Sequence, residues 1–264
     1  ADPDTAQADA KRADYLAALD RDSLKGARIG VWHGWRGRSP ATDAVFEAAL
    51  DVLRAQGATL IELKGPGDAV MGQIGQAEVQ LMTADFGPAL DAYLATTPAA
   101  VRTRTLADVV AFNRSEPRET AIFDQDLFET AAATPADPER PRKRAELTRL
   151  ARETLDRMLA TERLDAIVSP SGGPASIVDP VNGGVFFGSP SRLPAVSGYP
   201  HLTVPMGYVV GLPVGMSFLG PAWSEARLLS LGFAYEQASK ARREPEFPPH
   251  TAARPEIGRA YDPR

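Results

Sequence analysis

The segment Ser169–Pro174, which reads SPSGGP, contains the residues whose types and spacing could best support chemistry in this chain. It follows a short apolar run, 166–169, which predicts a buried strand. Ligand crevices in α/β proteins lie at strand ends, and consecutive glycines let the backbone approach a ligand closely. A tight turn into a loop explains the same letters without any ligand. The sequence therefore leaves two interpretations open, a plain turn and a binding loop made of Ser169, Pro170, Ser171, Gly172 and Gly173.

No familiar catalytic motif accompanies this loop. The patterns GxSxG, GxxxxGK[ST] and HExxH do not occur, and no GxGxxG follows a predicted strand. His33, His201 and His250 are far apart in the sequence, so each is interpreted as a surface or internally satisfied histidine. The chain has no cysteine, which excludes disulfides, thiol catalysis and cysteine metal sites and leaves the compartment open. The sequence predicts no catalytic residue and no metal ligand within the chain.

Composition narrows the classes of partner. The 264 residues carry a net charge of -5, so they lack the basic footprint of a nucleic-acid-binding protein. No apolar run approaches the roughly 20 residues of a membrane span. The chain begins without Met and without a signal-peptide core, and we expect either that something was removed or that it starts inside a larger protein.

The elements that would position the loop follow an α/β pattern. Arg28–Trp32 and Thr59–Leu63 are apolar runs typical of buried strands, and 43–54 between them has helical periodicity with Thr42 as its expected N-cap. This spacing predicts a parallel βαβ unit. Helical patterns then continue to about residue 163, and Pro88 is expected to kink or split the helix at 76–94.

The last third of the chain predicts a hairpin and a closing helix. Two apolar runs, 202–205 and 214–219, flank a turn, and Ser224 can cap a helix that runs to about residue 240. Across this region glycine, proline and apolar residues recur at spacings that resemble the C-terminal part of the amidase signature family. The matching residues are Gly198, Pro200, Leu202, Val204, Pro205, Gly207, Gly211, Leu212, Pro213, Gly215 and Gly220.

The likeness extends over most of the chain. RIGV at 28–31 and LDAIVSPS at 164–171 resemble the strands of that family, and LADVVAFN at 106–113 with FDQD at 123–126 resembles its peptide amidase branch. The resemblance implies the C-terminal part of an amidase signature fold, a mixed β-sheet covered by α-helices. It assigns residues 26–245 to the C-terminal half of the amidase domain. Composition predicts a linker with a short helix near Lys11–Leu19 in the polar, Ala-rich residues 1–25, and an irregular tail in the Pro- and charge-rich residues 246–264.

The resemblance also implies a reaction and its participants. Such enzymes hydrolyse the C–N bond of linear amides, and the peptide amidase branch acts on C-terminal peptide amides, without metal or other cofactor. They use a Ser-Ser-Lys triad whose GGSSGG-like signature is absent here, so the catalytic residues are expected in a missing N-terminal half. None of the five lysines stands in the family's lysine context.

By position in the family, this portion is expected to complete the sheet and shape the pocket for a small-molecule or peptide amide. The substrate-binding residues implied are Phe123, Gln125, Ser169, Pro170, Ser171, Gly172, Gly173, Phe186 and Phe187. The alternative is a non-catalytic binding domain built on the same scaffold. A long exposed strand edge argues against a free-standing half-sheet, because natural proteins avoid such edges.

Overall fold

The predicted strand–helix–strand unit opens the fold. Strand β1 spans Arg28–Trp32, helix α1 spans Pro40–Ala55 and strand β2 spans Thr59–Leu63. β1 and β2 pair in parallel, as expected. The N-cap of α1 is Ser39 rather than Thr42, because the Ser39 hydroxyl accepts from the Thr42 amide and proline occupies the first helical turn, where no N–H partner is needed.

The structure is a computed structural model that describes residues 5–176, 179, 181 and 183–247. Its contacts form two units. Within the described residues, the sheet unit comprises 5–67, 151–176 and 185–247, and the helical unit comprises 68–150, 179, 181, 183 and 184. The elements after β2 are α2 (Asp68–Ala95), α3 (Leu106–Ser115), α4 (Asp126–Ala133), α5 (Arg140–Thr161), β3 (Ala166–Pro170), α6 (Arg192–Ser197), β4 (His201–Val209), β5 (Leu212–Leu219) and α7 (Glu225–Ser239).

The five strands form one mixed sheet in the order β2-β1-β3-β5-β4. β3 is parallel to β1, whereas β5 is antiparallel to both β3 and β4. One sheet face, bearing Val31, Val168 and Phe218, packs in a single apolar cluster with residues of α1 and α7 such as Phe46 and Tyr235. The mixed α/β sheet is therefore confirmed, with the predicted hairpin at one edge.

The described residues near the two ends of the chain depart from the predicted elements. The helix expected near Lys11–Leu19 does not form: a 3-10 helix at Asp9–Lys11 is followed by turns and irregular backbone up to residue 26, and Leu24 in this segment is fully buried in the apolar cluster. Ser224 does stand at the N-cap of α7, but its hydroxyl donates to the Pro221 carbonyl and makes no capping bond. Most of the expected tail, 248–264, lies outside the described residues.

Helix α2 is not split at Pro88, because it runs unbroken through that residue. Proline has no N–H, so the Ala84 carbonyl four residues earlier loses its helical partner. The Nη1 of Arg140 on α5 donates to this carbonyl at 3.0 Å, while its Nε lies 3.1 Å from Asp85 Oδ1. A side chain thus replaces the missing backbone bond.

In the part of the chain that the structure describes, no helix has the length and apolarity needed to cross a membrane.

We expect Arg140→Met to destabilise the protein more in the native background than in the Pro88→Ala background. In that background an alanine amide can again satisfy the Ala84 carbonyl, so the coupling free energy should be about 0.5–1.5 kcal/mol. Denaturant unfolding of the double-mutant cycle measures it. Arg144→Met is the matched control, since Arg144 also pairs with Asp85 but does not donate to this carbonyl among the described contacts. If Arg140→Met and Arg144→Met showed equal coupling to Pro88→Ala, Arg140 would not be the group that satisfies the Ala84 carbonyl.

Candidate functional site

A narrow crevice lies in the sheet unit where the parallel strands β1 and β3 end. The segment after β1 forms one wall, the first turn of α1 forms another, and the SPSGGP loop closes the third side. Its volume of about 20 Å³ leaves room for about one water molecule. The lining residues are His33, Trp35, Arg36, Ser39, Thr42, Asp43, Pro170, Gly172, Gly173, Phe187 and Gly188. The predicted binding loop therefore does border a crevice at the carboxyl ends of strands.

Aromatic side chains packed on glycine backbone make the crevice narrow. A Cβ added at Gly173 would lie 2.6 Å from Phe187 Cγ and 2.8 Å from Phe187 Cβ, so only glycine leaves space for this ring. Gly188 has a φ of +103°, and a Cβ added there would lie even closer to the ring of Trp35. Two close approaches of ring to backbone thus set the width of the crevice, and both require glycine.

The charged side chains of the lining are already paired. Arg36 Nη2 lies 2.7 Å from Glu47 Oε1, and Asp43 Oδ2 accepts from the Gly37 amide at 2.7 Å. His33 Nε2 lies 3.0 Å from Glu62 Oε2, and the His33 ring packs edge-on against Phe46. The interpretation of His33 as a satisfied histidine fits this geometry. Because each charged side chain of the lining is already paired with another group of the protein, the crevice suits a neutral polar group.

The predicted residues of the sheet unit fall into three groups. Pro170, Gly172, Gly173 and Phe187 come together in the crevice lining. Phe186 is 74% exposed and does not belong to that lining. Ser169 and Ser171 turn to other surroundings: the Ser169 hydroxyl is fully buried with no hydrogen-bond partner among the described groups, and the Ser171 hydroxyl meets the hairpin.

The other two predicted residues lie in the helical unit. Phe123 is 52% exposed just before α4. Gln125 is the N-cap residue of α4, and its amide donates to the Val110 carbonyl at 3.3 Å and to Glu129 Oε1 at 3.2 Å. Its buried Oε1 has no partner among the described groups. Gln125 therefore braces α3 against α4, and a substrate-binding role for both residues remains a prediction.

A polar group that the sequence analysis missed lies on the sheet face opposite the apolar cluster. We call Ser171, His201, Thr203 and Ser217 the hydroxyl cluster. Ser171 Oγ is 2.5 Å from Thr203 Oγ1 and 2.8 Å from Ser217 Oγ, and Ser217 Oγ is 2.7 Å from His201 Nε2. The available signal was the alternation of His201 and Thr203 on one predicted strand opposite Ser217 on the next.

His201 is therefore bonded within the fold rather than free. The residue is exposed when all its atoms are taken together, but its ring is partly buried, and this burial lowers the pKa of the imidazole. The ring is consequently neutral at pH 7 and can either donate or accept at Nε2.

A larger cavity of about 380 Å³ lies in the helical unit between α2 and the first turns of α5. None of the predicted site residues lines it, and its charged rim includes Lys143 paired with Asp137 at 2.7 Å. Among the described residues, no group of three or more histidine, aspartate or glutamate side chains is arranged to hold a metal ion.

Comparison with known proteins gives the family to which this chain belongs. The sequence model of the Amidase family matches residues 1–229. A probable amidase of Arabidopsis thaliana is 29% identical over 239 residues, which cover 88% of this chain and 42% of that protein.

Solved structures agree. The native peptide amidase of Stenotrophomonas maltophilia superposes with a TM-score of 0.76 and 38% identity, over 89% of this chain and 48% of that chain. A peptide amidase bound to the competitive inhibitor chymostatin gives a TM-score of 0.80 with 38% identity and the same coverage.

This chain belongs to the amidase family, and it has the α/β fold of the peptide amidase-like branch of that family. The resemblance drawn from its sequence is confirmed. The chain spans about half the length of the curated relatives it matches.

Proposed function

We propose that this chain is the C-terminal portion of an amidase that hydrolyses the C–N bond of linear amides, and that its crevice shapes the substrate pocket. The observation that carries the proposal is the position of the crevice, at the carboxyl ends of two adjacent parallel strands in a chain of the amidase family. C-terminal peptide amides are the substrate class to test first, because peptide amidases are among its similar structures.

The chemistry of the crevice supports an uncharged substrate group. Arg36, Asp43 and His33 are each engaged by a neighbour, so a charged ligand would have to displace an existing pair. A carboxamide is neutral and can pair with backbone N–H and C=O groups, and Gly172 and Gly173 contribute such groups with no side chain of their own. The aromatic rings of Trp35 and Phe187 form an apolar wall of the crevice.

The catalytic groups in this proposal lie outside residues 1–264. In the reaction implied for the family, a serine attacks the amide carbonyl, ammonia leaves, and water then hydrolyses the acyl-enzyme. A lysine and a second serine manage the protons, and backbone N–H groups hold the oxyanion. Among the described residues no lysine lines the crevice, which supports a triad supplied by another part of the complete protein. In this proposal the chain completes the sheet, shapes the substrate pocket and orients the substrate.

A serine-directed covalent probe tests where the nucleophile lies. We expect a fluorophosphonate to label the complete protein encoded by the gene on a serine outside residues 1–264, and to leave the 264-residue chain unlabelled. Peptide mapping by mass spectrometry locates the adduct. Labelling at any serine of the 264-residue chain would overturn the location. Absence of labelling in the complete protein, together with binding of amides without turnover, would favour the non-catalytic binding domain.

A further inference from the structure

The hydroxyl cluster connects the hairpin β4–β5 to the loop that borders the crevice. Beyond the last β3–β5 pair, Pro170 with Met216, the Ser171 amide donates to the Gly215 carbonyl at 2.7 Å. The Ser171 hydroxyl adds contacts to Thr203 and Ser217. Ser171 is thus held at three points by the hairpin, immediately before the two glycines of the crevice.

The hairpin is shaped to admit these contacts. A Cβ at Gly215 would lie 2.8 Å from Thr203 Oγ1 and 3.2 Å from Ser171 Oγ, closer than ordinary van der Waals contact. Only glycine at this position lets the hydroxyl groups converge. Ser217 itself is fully buried, so its hydroxyl depends on partners within the protein.

His201 determines which way the hydrogen bonds of the cluster run. Each hydroxyl has one proton, so Ser217 cannot donate to His201 and Ser171 together. When the neutral imidazole accepts at Nε2, Ser217 donates to it and accepts from Ser171, and Ser171 accepts in turn from Thr203. Each of the three hydroxyl protons then has an acceptor. Without the imidazole, the buried Ser217 hydroxyl can donate only to Ser171 among the described contacts, which reverses that hydrogen bond and leaves the Ser171 proton to find another acceptor.

We propose that His201 is a positioning residue for the crevice, acting through Ser217 on Ser171 and so fixing the backbone of Gly172 and Gly173. The inference rests on the proposed function only in taking the crevice as the place that receives the amide substrate. The chain of contacts, from a solvent-facing histidine through a buried serine to a glycine loop, stands on geometry alone.

The first test measures the order of the loop and uses no substrate. In the 264-residue chain we expect ¹⁵N order parameters of Gly172 and Gly173 near about 0.85, falling below about 0.6 in His201→Leu. His201→Gln should restore them, because its amide can reach Ser217 with a donor or an acceptor. Gly215→Ala should loosen the same two residues by displacing the hydroxyl groups without removing any of them.

The matched control is Ser230→Ala on α7, which removes a buried hydroxyl that accepts from the Asp20 amide. We expect the order parameters of Gly172 and Gly173 to remain at their native values in this variant. The positioning role is wrong if His201→Leu leaves the glycines rigid, if His201→Gln fails to rescue them, or if Ser230→Ala loosens them equally.

The second test separates this inference from the proposed function. In the complete protein, His201→Leu should raise KM for a C-terminally amidated dipeptide by about 10-fold with a smaller change in kcat, and His201→Gln should reverse it. If the loop loosens but the complete protein hydrolyses no amide, the proposed function fails and the positioning role stands. If amide is hydrolysed with unchanged KM in His201→Leu, the positioning role is wrong for catalysis.

Discussion

Gly173→Ala will lower the free energy of unfolding by about 1–3 kcal/mol, the cost of forcing an extra methyl group into a packed site. The added Cβ would lie 2.6 Å from Phe187 Cγ and 2.8 Å from Phe187 Cβ. Because the collision reaches the root of the side chain, a change of rotamer cannot relieve it and the loop backbone must move. In the complete protein, displacing this wall should lower kcat/KM for an amidated dipeptide by up to about 100-fold.

The adjacent glycine provides the control for stability. A Cβ at Gly172 would meet only the Gly188 carbonyl oxygen at 3.6 Å, an ordinary contact, and Gly172 is not in the left-handed region. Gly172→Ala should therefore change the free energy of unfolding by less than about 1 kcal/mol. Equal destabilisation by both substitutions, measured by denaturant unfolding, would show that the Phe187 contact does not set the width of the crevice.

Phe218→Ala will cost about 3–5 kcal/mol of unfolding free energy, the range for removing a large buried aromatic side chain. Phe218 is fully buried near the C-terminal end of β5, where it pairs with Val168 on β3 and Leu202 on β4. Its ring centroid lies 6.4 Å from that of Tyr235 on α7. One side chain thus joins three strands to a helix, and its loss leaves a cavity among elements that cannot easily close it.

The same chemical change at the surface isolates the effect of burial. Phe247 is 90% exposed, so Phe247→Ala should change the unfolding free energy by less than about 0.5 kcal/mol. Urea titration of both variants gives the comparison. A cost below about 1 kcal/mol for Phe218→Ala would mean that the hairpin is not anchored to the sheet as described.

Local patterns were sufficient to predict the elements of the sheet. β1 and β2 were predicted at the observed bounds because each apolar run is short, β-branched and bounded by turn residues. The hairpin was predicted for the same reason. Continuity of α2 through Pro88 was not predictable, because the partner of the Ala84 carbonyl is Arg140, more than fifty residues away in sequence.

Local sequence patterns predicted the crevice only in part and did not predict the hydroxyl cluster. The strand-end position of Gly172 and Gly173 followed from a rule about sheets. The ring of Phe187 against Gly173 and the link from His201 to Ser171 depend on pairings between distant segments. Alternation along β4 and β5 puts His201, Thr203 and Ser217 on one face, but the register that makes them neighbours is set by the folded hairpin.

Ammonia release from a C-terminally amidated dipeptide tests the central claim most directly. The claim is that residues 1–264 shape the substrate pocket of an amidase whose nucleophile lies elsewhere in the complete protein. The assay compares the purified 264-residue chain with the complete protein at equal molar concentration. We predict that the complete protein releases ammonia in proportion to the C-terminal acid formed, and that the 264-residue chain releases none above the buffer rate. Catalytic ammonia release by the 264-residue chain would contradict the account.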